Sequence, residues 1–168
     1  MPEQELIEAA RALIDLCRAR KLTIATAESC TGGLVAAALT EIPGSSDVFD
    51  RGFVTYSNDS KEAMLGVPMD VLATFGAVSR ETAQAMARGA LARAGVDLTV
   101  AITGIAGPGG AMPGKPVGLV HFAAASRGGR LSHAERRFGD IGRGPVRLAS
   151  VAVALAMLRE LAGLELES

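Results

Sequence analysis

A short β-branched run, Leu22-Thr23-Ile24-Ala25, ends in a small polar stretch, Thr26-Ala27-Glu28-Ser29-Cys30-Thr31-Gly32-Gly33. That stretch passes directly into a helix-like segment, Leu34 to Thr40. A strand whose closing turn opens at once into a helix points to an open α/β layout, and such junctions are where these proteins place their chemistry. The first N–H groups of a helix lack intrahelical partners, so they can hold an anion or a developing negative charge. A hydroxyl, Ser29, and a thiol, Cys30, sit at this junction.

The remaining segments extend the alternation. Glu3 to Arg20 reads as an amphipathic helix, with Leu6, Leu13, Ile14 and Cys17 on one face, acids early and bases late. Pro43-Gly44-Ser45-Ser46 breaks the chain, and Val48 to Tyr56 follows as a strand. Asn58-Asp59-Ser60 offers caps for a short helix through Lys61 to Leu65, with Gly66 as its stop. Pro68 to Phe75 reads as a further short helix, and Ser79 heads a longer one to Ala94. Asp97 to Thr103 is a buried strand by its continuous apolar character. Val117 to Ala125 and Leu131 to Phe138 are two strands joined by the hairpin signal Arg127-Gly128-Gly129-Arg130. Pro145 to Leu161 closes the chain as a helix with a stripe of Leu148, Val151, Leu155 and Leu158. Helices between early strands and a late hairpin predict a three-layer α/β/α sandwich on a mixed sheet. No linker or internal repeat divides residues 1–168, so one domain is expected.

Composition excludes several classes. Seventeen basic residues balance eighteen acidic ones, so the basic footprint of nucleic-acid binding is missing. No apolar run approaches the roughly 18 residues of a membrane span, and the acidic start, Met1-Pro2-Glu3-Gln4-Glu5, lacks a signal-peptide layout. Cys17 and Cys30 do not form a disulfide framework, and a cytoplasmic protein is expected. His121 and His133 stand isolated in strands, and no Cys/His/Asp cluster has metal-ligand spacing, so neither metal nor cofactor is expected.

The chemical candidates stand beside plainer readings. Ser29 is either a nucleophile or a cap for a helix starting near Thr31, and caps are the commoner use. Cys30 is a rival nucleophile, although a small buried thiol is the more frequent case. The loop Thr103-Gly104-Ile105-Ala106-Gly107-Pro108-Gly109-Gly110 follows a strand and lets backbone N–H groups approach a ligand, or it is simply a tight turn. It lacks the Gly-Lys-Ser/Thr close of a Walker loop, and Pro108 interrupts any dinucleotide fingerprint. Lys61, at the start of a helix, runs against the helix dipole, which points to a tertiary reason for its placement. Arg143, just ahead of Pro145, can meet a phosphate or stay on the surface.

Taken together, the motifs resemble the CinA C-terminal domain family. The resemblance rests on Thr26 to Gly33, Pro43-Gly44-Ser45-Ser46, Val54-Thr55-Tyr56-Ser57-Asn58 with Lys61, and Leu65-Gly66-Val67. Gly76-Ala77-Val78-Ser79, Thr103 to Pro108 and Lys115-Pro116-Val117-Gly118 complete it in the family's order, from about Leu22 to Leu161. Departures fall at Arg51-Gly52, where a Gly-Gly pair is usual, and at Ala111-Met112-Pro113. Active members are nicotinamide-nucleotide amidases, so the resemblance implies hydrolysis of nicotinamide mononucleotide to nicotinate mononucleotide and ammonia. It places the family's serine on Ser29 and its lysine on Lys61, with the supporting tyrosine, threonine and arginine on Tyr56, Thr103 and Arg143. Some members carry an additional N-terminal domain; this chain resembles the stand-alone form.

The implied mechanism needs a base, because a serine hydroxyl is otherwise a poor nucleophile. Neutral Lys61 fills that role, and Lys61 or Tyr56 then protonates the departing ammonia. The local pattern, rather than the resemblance, assigns Thr31, Gly32 and Gly33 to the oxyanion. Gly104 and Gly107, with Thr103, would seat the nucleotide, and Arg143 its phosphate. The expected partner is therefore a small nucleotide. The apolar faces of the terminal helices leave a homo-oligomer open. Two other classes compete: a catalytically silent nucleotide-binding module, and a competence- or damage-linked interaction protein.

Overall fold

The structure is a computed structural model that describes residues 3–165. Met1, Pro2 and residues 166–168 lie outside the described residues. The elements in chain order are α1 (Glu3–Arg20), β1 (Ile24–Glu28), α2 (Leu34–Thr40), a short 3-10 turn (Ser45–Asp47) and β2 (Phe49–Val54). There follow α3 (Asn58–Leu65), α4 (Met69–Phe75), α5 (Arg80–Ala94), β3 (Leu98–Gly104), β4 (Leu119–Ser126), β5 (Leu131–Arg137) and α6 (Arg143–Leu164).

The five strands form one sheet in the order β2-β1-β3-β4-β5. Strand β1 runs parallel to both β2 and β3, while β3–β4 and β4–β5 are antiparallel. This is the mixed α/β/α sandwich that the alternation predicts. Alternation along the strands sends large and small side chains to opposite faces. Leu98, Val100 and Ile102 of β3 join Val120 and Phe122 of β4 in a core against α1, α2 and α6. Ala27, Ala101, Ala123 and Ala125 face the other way and pack under α5 with Leu65 and Leu72. Those alanines let α5 approach closely enough for the Thr99 hydroxyl to donate to the Ala87 carbonyl, 2.8 Å.

Helix α3 lies beside α5 at one contact of special closeness. A Cβ on Gly89 would run into the Leu65 carbonyl at the end of α3, so only glycine permits this approach. Helix α3 carries Lys61, and its seat against α5 helps to fix where that lysine can reach.

Several boundaries differ from those expected, each for a physical reason. Strand β1 runs on through Thr26, Ala27 and Glu28, which composition assigns to the turn. Neighbouring strands on both sides pair those residues, overriding their polarity. Helix α3 is capped by Ser57 rather than by Asn58, Asp59 or Ser60. The Ser57 hydroxyl accepts the Ser60 N–H at 3.0 Å, and the Ser60 hydroxyl accepts the Ser57 N–H at 3.2 Å. Asp97 lies before β3, its carboxylate accepting from the Thr23 N–H and hydroxyl at 2.8 and 2.9 Å. Helix α6 starts at Arg143, two residues earlier than expected. Of its predicted stripe, Val151, Leu155 and Leu158 are buried, but Leu148 is 42% exposed. No helix among the described residues is long and apolar enough to cross a membrane.

Candidate active site

The C-terminal ends of the three parallel strands converge on one edge of the sheet, the usual place for a ligand crevice in open α/β proteins. Ser29 follows β1, Thr55 and Tyr56 follow β2, and Gly104 ends β3. Of these, Ser29, Tyr56 and Gly104 border a cavity of ≈ 270 Å³. Its floor holds Ser29, Cys30 and Lys61. Ala77, Val78 and Thr103 form one wall, the loop Gly104 to Gly110 another, and Tyr56 and Arg143 border the opening.

Ser29 caps no helix. Helix α2 begins five residues later, behind Gly33, and its N-cap makes no side-chain hydrogen bond. The first N–H groups are instead taken by Glu28, whose buried carboxylate accepts from Val35 at 2.9 Å and Ala36 at 3.1 Å. The helix start is therefore already filled by a negative charge, against the expectation of an open anion seat there. The Ser29 hydroxyl faces the cavity and accepts a hydrogen bond from the Lys61 ammonium, 3.1 Å.

Lys61 is 1% exposed, an extreme value for a lysine. Its Nζ also donates to the Thr55 carbonyl at 2.8 Å and to the Tyr56 carbonyl at 3.4 Å. Burial pushes its pKa down from 10.5 to about 8, while the neighbouring Cys30 thiol raises it by a smaller amount. About one lysine in ten is then neutral at pH 7, compared with fewer than one in a thousand at the ordinary value. A neutral amine has two N–H donors and one lone pair. With both donors directed at carbonyls, the lone pair is left for the proton of Ser29.

Cys30 borders the same cavity with its thiol pushed up to about 11, mainly by burial. It stays protonated near neutrality and is therefore a poor nucleophile. The Thr103 hydroxyl donates to the Ala77 carbonyl at 2.7 Å, tying β3 to the wall. Arg143 donates to the Gly107 carbonyl and to the Tyr56 hydroxyl, both at 2.8 Å. Tyr56 thus has its hydroxyl at the mouth, 61% of the residue being exposed, and offers its backbone carbonyl to Lys61.

The structure brings Ser29, Lys61, Tyr56, Thr103, Gly104, Gly107 and Arg143 to the cavity, but not Thr31, Gly32 or Gly33. The Gly32 N–H is bonded to the Ser29 carbonyl at 3.0 Å, and Thr31 is fully buried. Arg51 and Ala111 to Pro113 also lie off the cavity. Sequence reasoning named Ala77 and Val78 only within a family motif and gave them no role at the site, since they have no reactive group to mark them. It also missed the Thr55 and Tyr56 carbonyls, because backbone acceptors leave no trace in side-chain identity. His121 and His133, isolated in the sequence, meet across β4 and β5 with ring nitrogens 2.9 Å apart. No group of three or more His, Cys, Asp or Glu side chains among the described residues is arranged to hold a metal ion.

Comparison with known proteins places this architecture. The family model described as the CinA C-terminal domain matches residues 6–162. A CinA-like protein of Synechococcus sp. (strain RCC307) is 52% identical over 151 residues, 89% of this chain and 36% of that protein. A protein of Symbiobacterium thermophilum named as a putative competence-damage inducible protein is 59% identical over 109 residues, 65% of this chain and 26% of that protein. The chain thus spans about a quarter to a third of the length of these curated relatives. The crystal structure of the competence/damage inducible protein CihA from Agrobacterium tumefaciens superposes with a TM-score of 0.93 at 57% identity, covering 96% of this chain and 97% of that one. A CinA superfamily protein from Klebsiella pneumoniae superposes with a TM-score of 0.89 at 37% identity, covering 94% and 98%. With the family model spanning nearly all of the described fold, the chain belongs to the CinA C-terminal domain family.

Proposed function

We propose that this chain is a single-domain serine amidohydrolase that converts nicotinamide mononucleotide to nicotinate mononucleotide and ammonia. The observation that carries this reading is the 3.1 Å hydrogen bond between the buried Lys61 amine and the Ser29 hydroxyl. Neutral Lys61 takes the hydroxyl proton as Ser29 Oγ attacks the carboxamide carbon. Backbone N–H groups of the residues bordering the cavity, that of Cys30 beside the nucleophile among them, would hold the oxyanion. As the C–N bond breaks, protonated Lys61 returns its proton to the departing nitrogen, and ammonia leaves. Water then attacks the nicotinoyl ester, Lys61 again accepts a proton, and the Ser29 C–O bond breaks. Ser29 regains its hydrogen, and the new acid loses its own proton to solvent.

The glycine loop and Thr103 seat the nucleotide in this scheme. Arg143 keeps part of its five-donor fork for the phosphate, oriented by Tyr56 and Gly107. The silent-module reading accounts for the loop and Arg143 but gives no reason to bury an amine against a serine. The interaction-protein reading draws only on the names of the relatives. Ammonia release from nicotinamide mononucleotide decides among them. Wild type should release it, and Ser29→Ala should lose at least about a thousandfold in kcat. An inactive wild type that still binds the nucleotide favours the module.

A further inference from the structure

Arg147 lies one helical turn beyond Arg143 on the same face of α6. It does not border the cavity. Instead its Nε donates to the Cys30 carbonyl at 3.0 Å and its Nη2 to the Thr31 carbonyl at 3.3 Å. The guanidinium is half-buried, and no carboxylate pairs with it among the described residues. Its charge is directed at the Cys30–Thr31 and Thr31–Gly32 peptides, one residue beyond Ser29. A Cβ on Gly32 would come within 3.3 Å of Nη2, so the glycine leaves room for this grip. Glu28 holds the far end of the same turn through the N–H groups of Val35 and Ala36. The segment from Ser29 to Gly33 is therefore held from both ends, by an acid on N–H groups and a base on carbonyls.

We propose that Arg147 is a positioning residue for the nucleophile, acting through the Cys30 and Thr31 carbonyls, and that α6 thereby joins the ligand seat at Arg143 to the turn bearing Ser29. A trans peptide sets its N–H opposite its carbonyl, so the grip on the Cys30 carbonyl also fixes the direction of the Thr31 N–H. Without the fork the turn keeps only the Glu28 grip and the Ser29 and Gly32 N–H bonds, and Ser29 Oγ shifts out of line with Lys61. Misplacement by about 1 Å can cost about a hundredfold in rate. This inference rests on the serine reading of the site, but its test separates the two.

A fluorophosphonate probe reports the reactivity of Ser29 without any nucleotide, with the labelled residue identified by mass spectrometry. Wild type should be labelled at Ser29. Arg147→Ala should be labelled about 10–100-fold more slowly, and Arg147→Lys, which can reach one carbonyl, should fall between. Millimolar ethylguanidinium should restore most of the loss in Arg147→Ala, an effect that a purely structural arginine would not show. With the nucleotide, kcat should fall by a similar factor while KM stays within about threefold, since Arg143 is untouched. Labelling of Arg147→Ala at the wild-type rate overturns the inference and leaves the serine reading standing. A slow variant that melts well below wild type and gains nothing from ethylguanidinium also overturns it. If wild type releases ammonia but is never labelled at Ser29, the serine reading fails, and this inference fails with it.

Discussion

At 1% exposure, Lys61 puts a titratable amine where water would otherwise stabilise its charge, and the fold and the chemistry feel this in opposite ways. With the folded pKa near 8 and the unfolded value near 10.5, the unfolded chain binds more protons between those limits. Wild-type stability therefore gains from this group as pH rises from 8 to 10.5, and below 8 the burial penalty is at its full size of about 3 kcal/mol. Lys61→Met should be inactive, and its stability relative to wild type should decline by up to that amount between pH 8 and 10.5, read by denaturant titration at each pH. The kcat/KM of wild type should rise with pH along a single-proton limb with a midpoint near 8, and Lys61→Arg should lose that limb with its activity. At the mouth, Arg143→Ala should raise KM for the nucleotide about 10–100-fold, as expected for a lost charge-assisted contact, with little effect on the phosphate-free nucleoside. Steady-state kinetics on both compounds checks this.

Helix α2 owes its start to an element it does not contain. Its N-cap is Gly33 in a left-handed conformation, with no side-chain oxygen of its own. The acceptor comes from the last residue of β1, so strand and helix are locked together across the turn that carries Ser29. Glu28→Ala would leave two N–H groups orphaned in the interior and should cost about 2–4 kcal/mol, seen as a drop in Tm. Glu28→Gln keeps one acceptor oxygen and should lose less. Helix α3 shows how far local signals reach. Its stop at Gly66, left-handed at φ 68°, matches the expected glycine cap, and a lysine against the dipole marked a tertiary demand. The acceptors that satisfy Lys61 are carbonyls beyond the end of β2, whose position depends on sheet pairing that no local pattern encodes.

Across the whole molecule, three parallel strands deliver Ser29, Thr55 and Gly104 to one edge, while the antiparallel pair β4–β5 completes the sheet on the other side. That pair also holds the His121–His133 contact, with Glu135 3.6 Å from His121. Burial pushes both rings below their ordinary 6.5; His133 and Lys115 push His121 the same way, Arg80 does so for His133, and Glu135 and Glu81 oppose at both. The unfolded chain then binds more protons just below pH 6.5, so the contribution of these rings to stability is lost as pH falls through that region. His133→Gln should flatten the decline in Tm between pH 7 and 5. An unchanged slope would remove the pair from the acid response.

The sequence by itself determined the order and kind of the elements, because helical and strand periodicities are local and glycine and proline mark their ends. It also singled out Ser29, Lys61 and Arg143 through a set of motifs that keep a family's order. Tertiary structure alone decided that Ser29 is no cap, since the capping role passes to Glu28 across the turn. It placed Thr31 to Gly33 away from the cavity and assigned the Tyr56 hydroxyl to Arg143. It brought Lys61 to Ser29 across 32 residues, and Arg147 to the carbonyls of the same turn. The groups that hold Lys61, Arg147 and Glu28 in place are backbone carbonyls and N–H groups of other segments, which are the same in every residue, so only the packed fold reveals which ones are used.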